Sequence, residues 1–433
     1  MPLPTRLALI DCNNFFVSCE QAFNPKLRQR PVVVLSNNDG CVVARSTEAK
    51  QRGIPMGAPY FQVRQQLAAM QGVALSSNYA LYADMSRRVM QLIREQIPDQ
   101  EVYSIDECFV DLSGFSADQA LVQAFKIRQR LRQCLSMTVS VGLGSSKTQA
   151  KLASEIAKQR ATTGVCDLSG ALSAERAAEM AAQPVEAVWG IGRRTAANLE
   201  DAGVYTIGDL LAKPTSWVRR RYSINLVRTV DELQGKPCLG FQPEADARQQ
   251  VIASRSFGQA VYEQADLVEA VATFVSRAAE RLRADRSLTS MIQVYYRAKD
   301  PAHGGEACGD STAVPLPVAT DDTRILIRHA LQALDRIYQP GLKYKKAGVV
   351  LSGIRPARIP QPELFGLYAQ ASGPSSAMRL MDRVNQRYGR DTVRVASIGV
   401  GDDAAWHMSC SRRSRRYTTA LDELPVFTAS GMT

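Results

Sequence analysis

The sequence predicts a multidomain protein of mixed α/β and α+β class. Three observations predict it. At about 150 residues per domain, 433 residues suit roughly three domains with sizeable cores. Strand-like and helix-like periods alternate through the first 165 residues and return after Val251, leaving an interval of short helices and glycine turns between them. The apolar fraction of 45% and charged fraction of 22% are ordinary for a folded domain and exclude wholesale disorder.

The elements follow in order. Leu7 to Asp11 is an apolar run that reads as a strand. Pro31 to Ser36 and Cys41 to Arg45 read as a hairpin around Asn37-Asn38-Asp39-Gly40, residues that tolerate positive φ. Tyr79 to Ile97 carries Leu81, Met85, Val89, Leu92 and Ile93 near helical spacing. Glu101 to Ile105 and Cys108 to Leu112 read as short strands flanking Asp106-Glu107. Ala117 to Leu135 and Ser146 to Lys158 read as helices around a strand at Thr138 to Leu143. Residues 166–240 lose the strand signal. Strands are then expected at Val251 to Phe257, Ser290 to Tyr296, Ser311 to Leu316 and Gly348 to Ile354, with helices over about 264–285 and 321–338. That order is β-α-β-β-α-β. Glu244 to Gln250 is a polar linker candidate, and the proline-rich stretch after Ile354 reads as extended. Beyond Ser372 the pattern suggests a helix over 375–388 and a strand over 392–400.

No apolar run reaches the roughly 18 residues of a membrane span. The N-terminus lacks the pattern of a signal peptide, and the nine cysteines form no C-x-x-C pair, so reduced cytosolic thiols fit better than zinc or disulfides. The three histidines all lie beyond residue 300, so chemistry in the N-terminal half rests on carboxylates, lysines and hydroxyls. The formal charge of +11 points to a polyanionic partner. It is uneven: residues 1–165 are net +6, residues 166–240 net 0, residues 241–360 net +3 and the remainder net +2.

Asp11 ends the first strand; alone, such a residue also serves as a helix cap. Asp106-Glu107 at a strand junction alone would pass for a solvated turn. Together the three form a carboxylate cluster suited to a pair of magnesium ions, whose hard oxygen ligands fit the missing histidine. Lys50 and a second set, Lys147, Lys151 and Lys158, spaced to share one helical face, would neutralise phosphates or simply be solvated. Val188-Trp-Gly-Ile-Gly-Arg-Arg194 reads as helix, glycine turn, helix. Its backbone amides at Gly190, Gly192 and Arg193 suit a nucleic-acid phosphate.

Asp11-Cys-Asn-Asn-Phe-Phe16, Tyr103-Ser-Ile-Asp-Glu-Cys-Phe-Val-Asp111, Gly142-Leu-Gly-Ser-Ser-Lys147 and Lys158, in that order, resemble the palm and fingers of Y-family translesion DNA polymerases. Ser36-Asn-Asn-Asp-Gly-Cys-Val-Val-Ala-Arg45, Ser76-Ser-Asn-Tyr-Ala-Leu-Tyr-Ala-Asp-Met-Ser86, Ser254-Arg-Ser-Phe-Gly258 and Arg416-Tyr-Thr-Thr419 resemble, more narrowly, the UmuC catalytic subunits of bacterial DNA polymerase V. The resemblance runs over essentially the whole chain. It implies a right-hand polymerase: palm and small fingers over 1–165, a thumb with a helix-hairpin-helix over 166–240, a little finger over 241–355, and a C-terminal region over 356–433.

The resemblance also implies an activity: error-prone, template-directed transfer of deoxynucleotides to a primer 3′-OH across damaged DNA, with release of pyrophosphate, as in SOS mutagenesis. It makes Asp11, Asp106 and Glu107 the ligands of two Mg²⁺, with Mn²⁺ able to substitute, and adds the backbone carbonyl of Cys12. Phe15 and Phe16 fall in the nucleotide pocket, Phe16 as the steric gate against a ribose 2′-OH. Lys158 matches the triphosphate-binding lysine. Thr47 and Lys50 stand where the family commonly has tyrosine and arginine. Asn13 stands where many relatives have a second aspartate, so it is not a ligand. Arg255 and Ser256 would contact template phosphates. Gln361, Leu364 and Phe365 resemble a sliding-clamp docking motif. Primer–template DNA, a processed UmuD dimer and RecA are the other implied partners, with no membrane; the implied location is the cytoplasm, with the nucleoid when active. Arg412, Arg413, Arg415 and Arg416 suit contact with DNA or RecA and equally suit a solvated run. Three competing readings are another two-metal nucleotidyl transferase, a DNA-binding accessory protein with a dead site, and a repair nuclease or glycosylase. The first needs neither the helix-hairpin-helix nor a basic third domain, and the intact carboxylates argue against the second. Against the third, no base-excision lysine or aspartate follows the helix-hairpin-helix in the usual way.

Overall fold

Strand β1 (Leu7–Cys12) is buried along its whole length, as an apolar run flanked on both sides must be. The computed structural model describes residues 5–160, 163–244, 247–357, 376–399, 406 and 408–424. The chain falls into two compact units. One comprises Met1–Ser36, Gly40–Ala245 and Arg412–Thr433; the other comprises Asp246–Ser411 with Asn37–Asp39.

In the first unit β1 leads into α1 (Phe15–Phe23), then β2 (Val32–Leu35), β3 (Val42–Arg45), α2 (Thr47–Gln51), α3 (Tyr60–Ala69), β4 (Val73–Ser76) and α4 (Tyr79–Gln96). There follow β5 (Gln100–Val102), β6 (Glu107–Asp111), α5 (Ala117–Leu135), β7 (Val139–Gly144), α6 (Lys147–Gln159) and β8 (Val165–Leu168). Five strands form one sheet in the order β5-β6-β1-β7-β8. The expected hairpin is present as antiparallel β2 and β3, and β4 joins β2 in parallel, a pairing the sequence does not disclose.

Period-two alternation explains which side of the large sheet carries chemistry. Ala8, Ile10, Cys12, Val110, Val139 and Val141 pack with α4 and α5 through Tyr82, Met85, Ile127 and Leu131. The alternate residues Leu9 and Phe109 pair across strands and meet Ala150 of α6 on the opposite face. Asp11 and Glu107, also cross-strand partners, lie one pleat further along that α6 face. On β7 the same face is glycine. A Cβ at Gly142 would lie 2.1 Å from the backbone nitrogen of Ser154, and one at Gly144 would lie 2.4 Å from that of Ala150. These glycines therefore let α6 settle directly on the sheet beside the carboxylates.

Two expectations are corrected here. The strand expected through Ile105 stops at Val102. The Ser104 hydroxyl accepts hydrogen bonds from the amides of Asp106 (3.2 Å) and Glu107 (3.1 Å), and this turn replaces ladder pairing. Residues after 165 do contain a strand, β8, parallel to β7. Four residues with a central aspartate are too short to show a period, and the expected junction at 165/166 falls inside it.

The helical segment comprises α7 (Ala174–Ala181), α8 (Arg193–Glu200), α9 (Ile207–Leu211), α10 (Thr215–Arg221) and α11 (Ile224–Leu233). Its core of Val185, Leu199, Ile207, Val218 and Leu233 includes Leu152 and Ile156 from α6. Buried Glu232 on α11 accepts from Thr148 N and Oγ1 at 2.9 and 2.8 Å, and from the amides of Cys238 and Leu239. A buried carboxylate with four donors is satisfied, and it ties α11 to the start of α6.

The second unit has the expected β-α-β-β-α-β order: β9 (Gln250–Val261), α12 (Gln264–Ala284), β10 (Ser287–Asp300), β11 (Glu306–Thr320), α13 (Thr323–Ile337) and β12 (Lys343–Ser352). Its antiparallel sheet runs β11-β10-β12-β9, and both helices bury one face against it. Helix α14 (Ser376–Tyr388) forms where the sequence suggests and is held to α12 by the bidentate pair of Arg283 with Asp382. The strand expected over 392–400 is absent among the described residues; Ala396–Ile398 is a single 3-10 turn.

Candidate active site

Asp11, Cys12, Asn13, Asn14, Phe15, Phe16, Val43, Ala44, Arg45, Thr47, Lys50, Met56, Asp106 and Lys158 line one cavity of about 330 Å³. Of the residues singled out from sequence it gathers Asp11, Cys12, Phe15, Phe16, Thr47, Lys50, Asp106 and Lys158, from the end of β1, the start of α1, α2, the turn before β6 and the end of α6; Glu107 is not in its lining. The Cys12 amide donates to the Asp106 carbonyl at 2.9 Å, which fixes the two acidic segments side by side. Asn14 takes a left-handed conformation at φ 51° and turns the chain from β1 into α1. Its side-chain amide donates to Thr47 Oγ1 at 3.3 Å, placing Thr47 on the rim. Asn13 accepts from the Ser140 hydroxyl at 2.9 Å.

Each carboxylate has its own partner. Lys158 Nζ lies 2.8 Å from Asp11 Oδ2 and 2.6 Å from Glu155. Lys151 Nζ contacts both Glu107 oxygens at 3.1 and 3.0 Å and sits over the rings of Tyr103 and Trp189. The Ser104 hydroxyl donates to Asp106 Oδ1 at 2.7 Å. Among the described residues no three acidic, histidine or cysteine side chains converge on a common point. The sequence-derived cluster is thus neighbouring but not closed: Lys158 and Lys151 are the cations that pair with Asp11 and Glu107. The donor set still fits a hard divalent ion. Burial pushes the Asp11 carboxyl up to about 7 despite Lys158, with Glu107 adding to the rise. A carboxylate desolvated in this way calls for a cation. All three side chains offer oxygen.

Among the cations of the lining the balance reverses. Burial, then Arg45 and Lys158, hold the Lys50 ammonium below its ordinary range. Arg45, Lys50 and Lys158, the last of them paired with Asp11, crowd three cations into one cavity, the complement of a polyphosphate. Arg45 is the residue sequence reasoning missed. Val43, Ala44 and Arg45 of β3 all line the cavity, and Val42-Val-Ala-Arg45 carries no polar alternation that would mark Arg45 from sequence. Lys147 is a correction of the opposite kind. It is buried and pairs with Glu101 at 2.6 Å and the Gly240 carbonyl at 2.7 Å, outside the cavity.

Phe16 forms the aromatic floor. It stacks on buried Tyr82, with ring centroids 4.6 Å apart and planes 13° apart, and meets Tyr79 and Phe15 at an angle. In the helical segment Gly190 has φ 93°, which only glycine adopts readily, and Gly192 caps α8, where Arg193 is exposed. Arg255 and Ser256 are exposed on β9. Gln361, Leu364 and Phe365 lie outside the described residues. Of the arginines near the C-terminus, Arg416 pairs with Glu423 at 2.6 Å and Arg412 covers the Tyr60 ring.

The fold is that of the Y-family DNA polymerases. A Y-family polymerase chimera of Dbh and Dpo4 matches 81% of this chain and 99% of its own with a TM-score of 0.64, at 18% identity. DinB from Sulfolobus solfataricus matches 80% of this chain and 98% of its own with a TM-score of 0.54, at 18% identity. Residues 10–155 match the impB/mucB/samB family, residues 248–364 its C-terminal domain, and residues 375–426 a domain of unknown function. Protein UmuC of Salmonella typhimurium (strain LT2) is 41% identical over 96% of this chain and 99% of its own length. Protein MucB of Escherichia coli is 38% identical over 97% and 99%. The chain belongs to the impB/mucB/samB family. Its activity is the error-prone, translesion DNA synthesis of that class.

Proposed function

We propose that the cavity around Asp11 is where this activity takes place. The observation that carries the reading is the company the cavity keeps: buried Asp11 and half-buried Asp106, the crowded cations Arg45, Lys50 and Lys158 (the last paired with Asp11), and a stacked phenylalanine. Asp11, Asp106 and Glu107, with the Cys12 carbonyl, would hold two divalent cations, Mg²⁺ by choice. When bound, these supply acidification of the primer 3′-OH and charge neutralisation on the triphosphate.

The chain's own residues do the rest. Arg45, Lys50 and Lys158 bind the triphosphate and offset charge on the transferred group and on pyrophosphate. Lys158 first has to leave Asp11, so nucleotide binding exchanges one ion pair for another. Phe16, braced by Tyr82, blocks a 2′-OH. Lys151 holds Glu107 in position. Proton removal from the primer has no general-base side chain assigned to it.

The regional reading is palm and fingers from residue 1 through β8, then a thumb up to 240, a little finger over 241–355 and an interaction region over 356–433. Gly190, Gly192 and Arg193 present amides to a DNA backbone; Arg255 and Ser256 contact template phosphates from the little finger. Similarity to UmuC supports a processed UmuD dimer as partner. RecA contact and clamp docking through Gln361, Leu364 and Phe365 follow from the sequence resemblance, as does a cytoplasmic, nucleoid-associated location; no helix among the described residues is long and apolar enough to cross a membrane.

The test is primer extension past an abasic template site with Mg²⁺ and deoxynucleotides, with and without processed UmuD and RecA–ATP. Extension beyond the lesion in at least one condition is expected. Its absence in all of them, with undamaged template also refused, would sink the reading.

A further inference from the structure

The stretch matched by a domain of unknown function ends in a segment that packs with the first unit. Residues 412–417 lie along the end of β4: the Ser76 amide donates to the Arg412 carbonyl at 3.1 Å, the Arg412 amide donates to Ser76 Oγ at 3.0 Å, and Ser76 and Arg413 form a parallel bridge. Asn78, buried at the start of α4, donates to the Ser414 carbonyl, Ser414 Oγ and the Arg415 carbonyl at 3.3, 2.9 and 3.0 Å. Ser414 Oγ in turn donates to Glu20 Oε1 at 2.9 Å, and the Tyr82 hydroxyl donates to the same oxygen at 2.7 Å. Glu20 is 1% exposed and sits one helical turn beyond Phe16 on α1. Near the end of α1, Phe23 stacks on Tyr417, with centroids 5.1 Å apart and planes 6° apart.

Two independent ties therefore join this segment to the helix that carries Phe16. One of them runs through the carboxylate that also holds Tyr82, the ring on which Phe16 lies flat. We infer that residues 412–417 are a positioning strap for the sugar-discriminating aromatic pair, with Ser414 and Tyr417 its two anchors. This rests on the reading of Phe16 as the gate against ribose. Physically, a stacked ring excludes a hydroxyl only while its backing cannot retreat. Deleting Ser414 Oγ leaves Glu20 buried with one hydroxyl donor fewer, and deleting the Tyr417 ring frees Phe23. Both changes loosen α1 against α4 without touching a group that meets the nucleotide.

The experiment is steady-state single-nucleotide insertion by the full chain, comparing kcat/KM for a deoxynucleotide and the matching ribonucleotide. Ser414→Ala with Tyr417→Ala is expected to raise the ribo-to-deoxy ratio about tenfold, the scale of one hydrogen bond to a charged group. Deoxynucleotide insertion should change far less. Ser414→Thr, which keeps the hydroxyl, should restore the ratio. In a Phe16→Ala background the strap changes should add nothing. Phe16→Ala alone separates the two ideas. If it raises the ratio and the strap variants do not, the strap is refuted and the gate stands. If it leaves the ratio unchanged, the gate reading falls and the strap with it. Equal loss of both substrates in the strap variants also refutes the proposal, because it marks a purely structural role. Should the double variant be inactive, each single variant is read by the same criterion.

Discussion

Asp11 makes the pH dependence of metal use a quantitative prediction. Burial holds its carboxyl at about 7 in the metal-free chain, although Lys158 Nζ lies only 2.8 Å from Oδ2. A cation binds the carboxylate, not the acid. At low Mg²⁺, kcat/KM for nucleotide insertion should therefore fall about tenfold per pH unit below about 7, and saturating Mg²⁺ should pull that limb to lower pH. Lys158→Met sharpens the test. At 2.8 Å the Coulomb attraction is about 1.5 kcal/mol in water's dielectric and about 6 kcal/mol at an effective value near 20. The Lys158 side chain is 32% exposed, so screening favours the lower end, about 2 kcal/mol or about 1.5 pH units. Removing the ammonium takes away the force that lowers the Asp11 pKa, so the acid limb of the variant should move up by about that amount at low Mg²⁺. The assay is single-nucleotide insertion across pH at several Mg²⁺ concentrations, with DNA binding measured alongside. A wild-type limb below about 5 at low Mg²⁺, or a downward shift in Lys158→Met, would refute the reasoning.

Three further outcomes are expected. Phe16→Ala should raise ribonucleotide insertion at least about tenfold, about 1.4 kcal/mol of lost discrimination, measured as the kcat/KM ratio of the two sugars. Gly142→Ala should destabilise the first unit by about 1–3 kcal/mol in denaturant unfolding, because its Cβ would meet the Ser154 backbone at 2.1 Å, and a neutral change would contradict the close packing of α6. Glu20→Gln bears on stability against pH. Burial raises the Glu20 pKa above its ordinary value. Its contribution to stability is then fully present below the unfolded value near 4.5 and is lost as pH rises through the folded one. The variant lacks that loss, so the melting temperature of Glu20→Gln relative to wild type should rise as pH increases above about 5; a flat difference would count against a buried, strained carboxylate.

Much of the site was legible because its parts are local. Asp11 closes an apolar run and Asp106-Glu107 sits between two short ones; that Asp11 and Glu107 share one face comes from the β1–β6 register. The β-α-β-β-α-β order was readable from periods of two and 3.6. What stayed hidden depends on pairs far apart in sequence. Strand β8 has four residues and gains its identity only beside β7. Lys147 and Lys158 share helical spacing, yet one is buried against Glu101 and the other borders the cavity, because α6 contacts the helical segment at its start and the nucleotide site at its end. Ser414 and Glu20 are 394 residues apart, and no periodicity joins them. The Ser104 turn defeated the strand expected through Ile105, since a hydroxyl competing for backbone amides leaves no trace in hydropathy.

The most direct test of the account is primer extension by Asp106→Ala under conditions that support the wild-type chain, with primer–template binding measured in parallel. Asp106 touches the cavity and its only hydrogen-bonded side-chain partner among the described contacts is Ser104, so its loss should spare the fold. The account predicts that extension is abolished while DNA affinity is kept. Extension retained near the wild-type rate would contradict it.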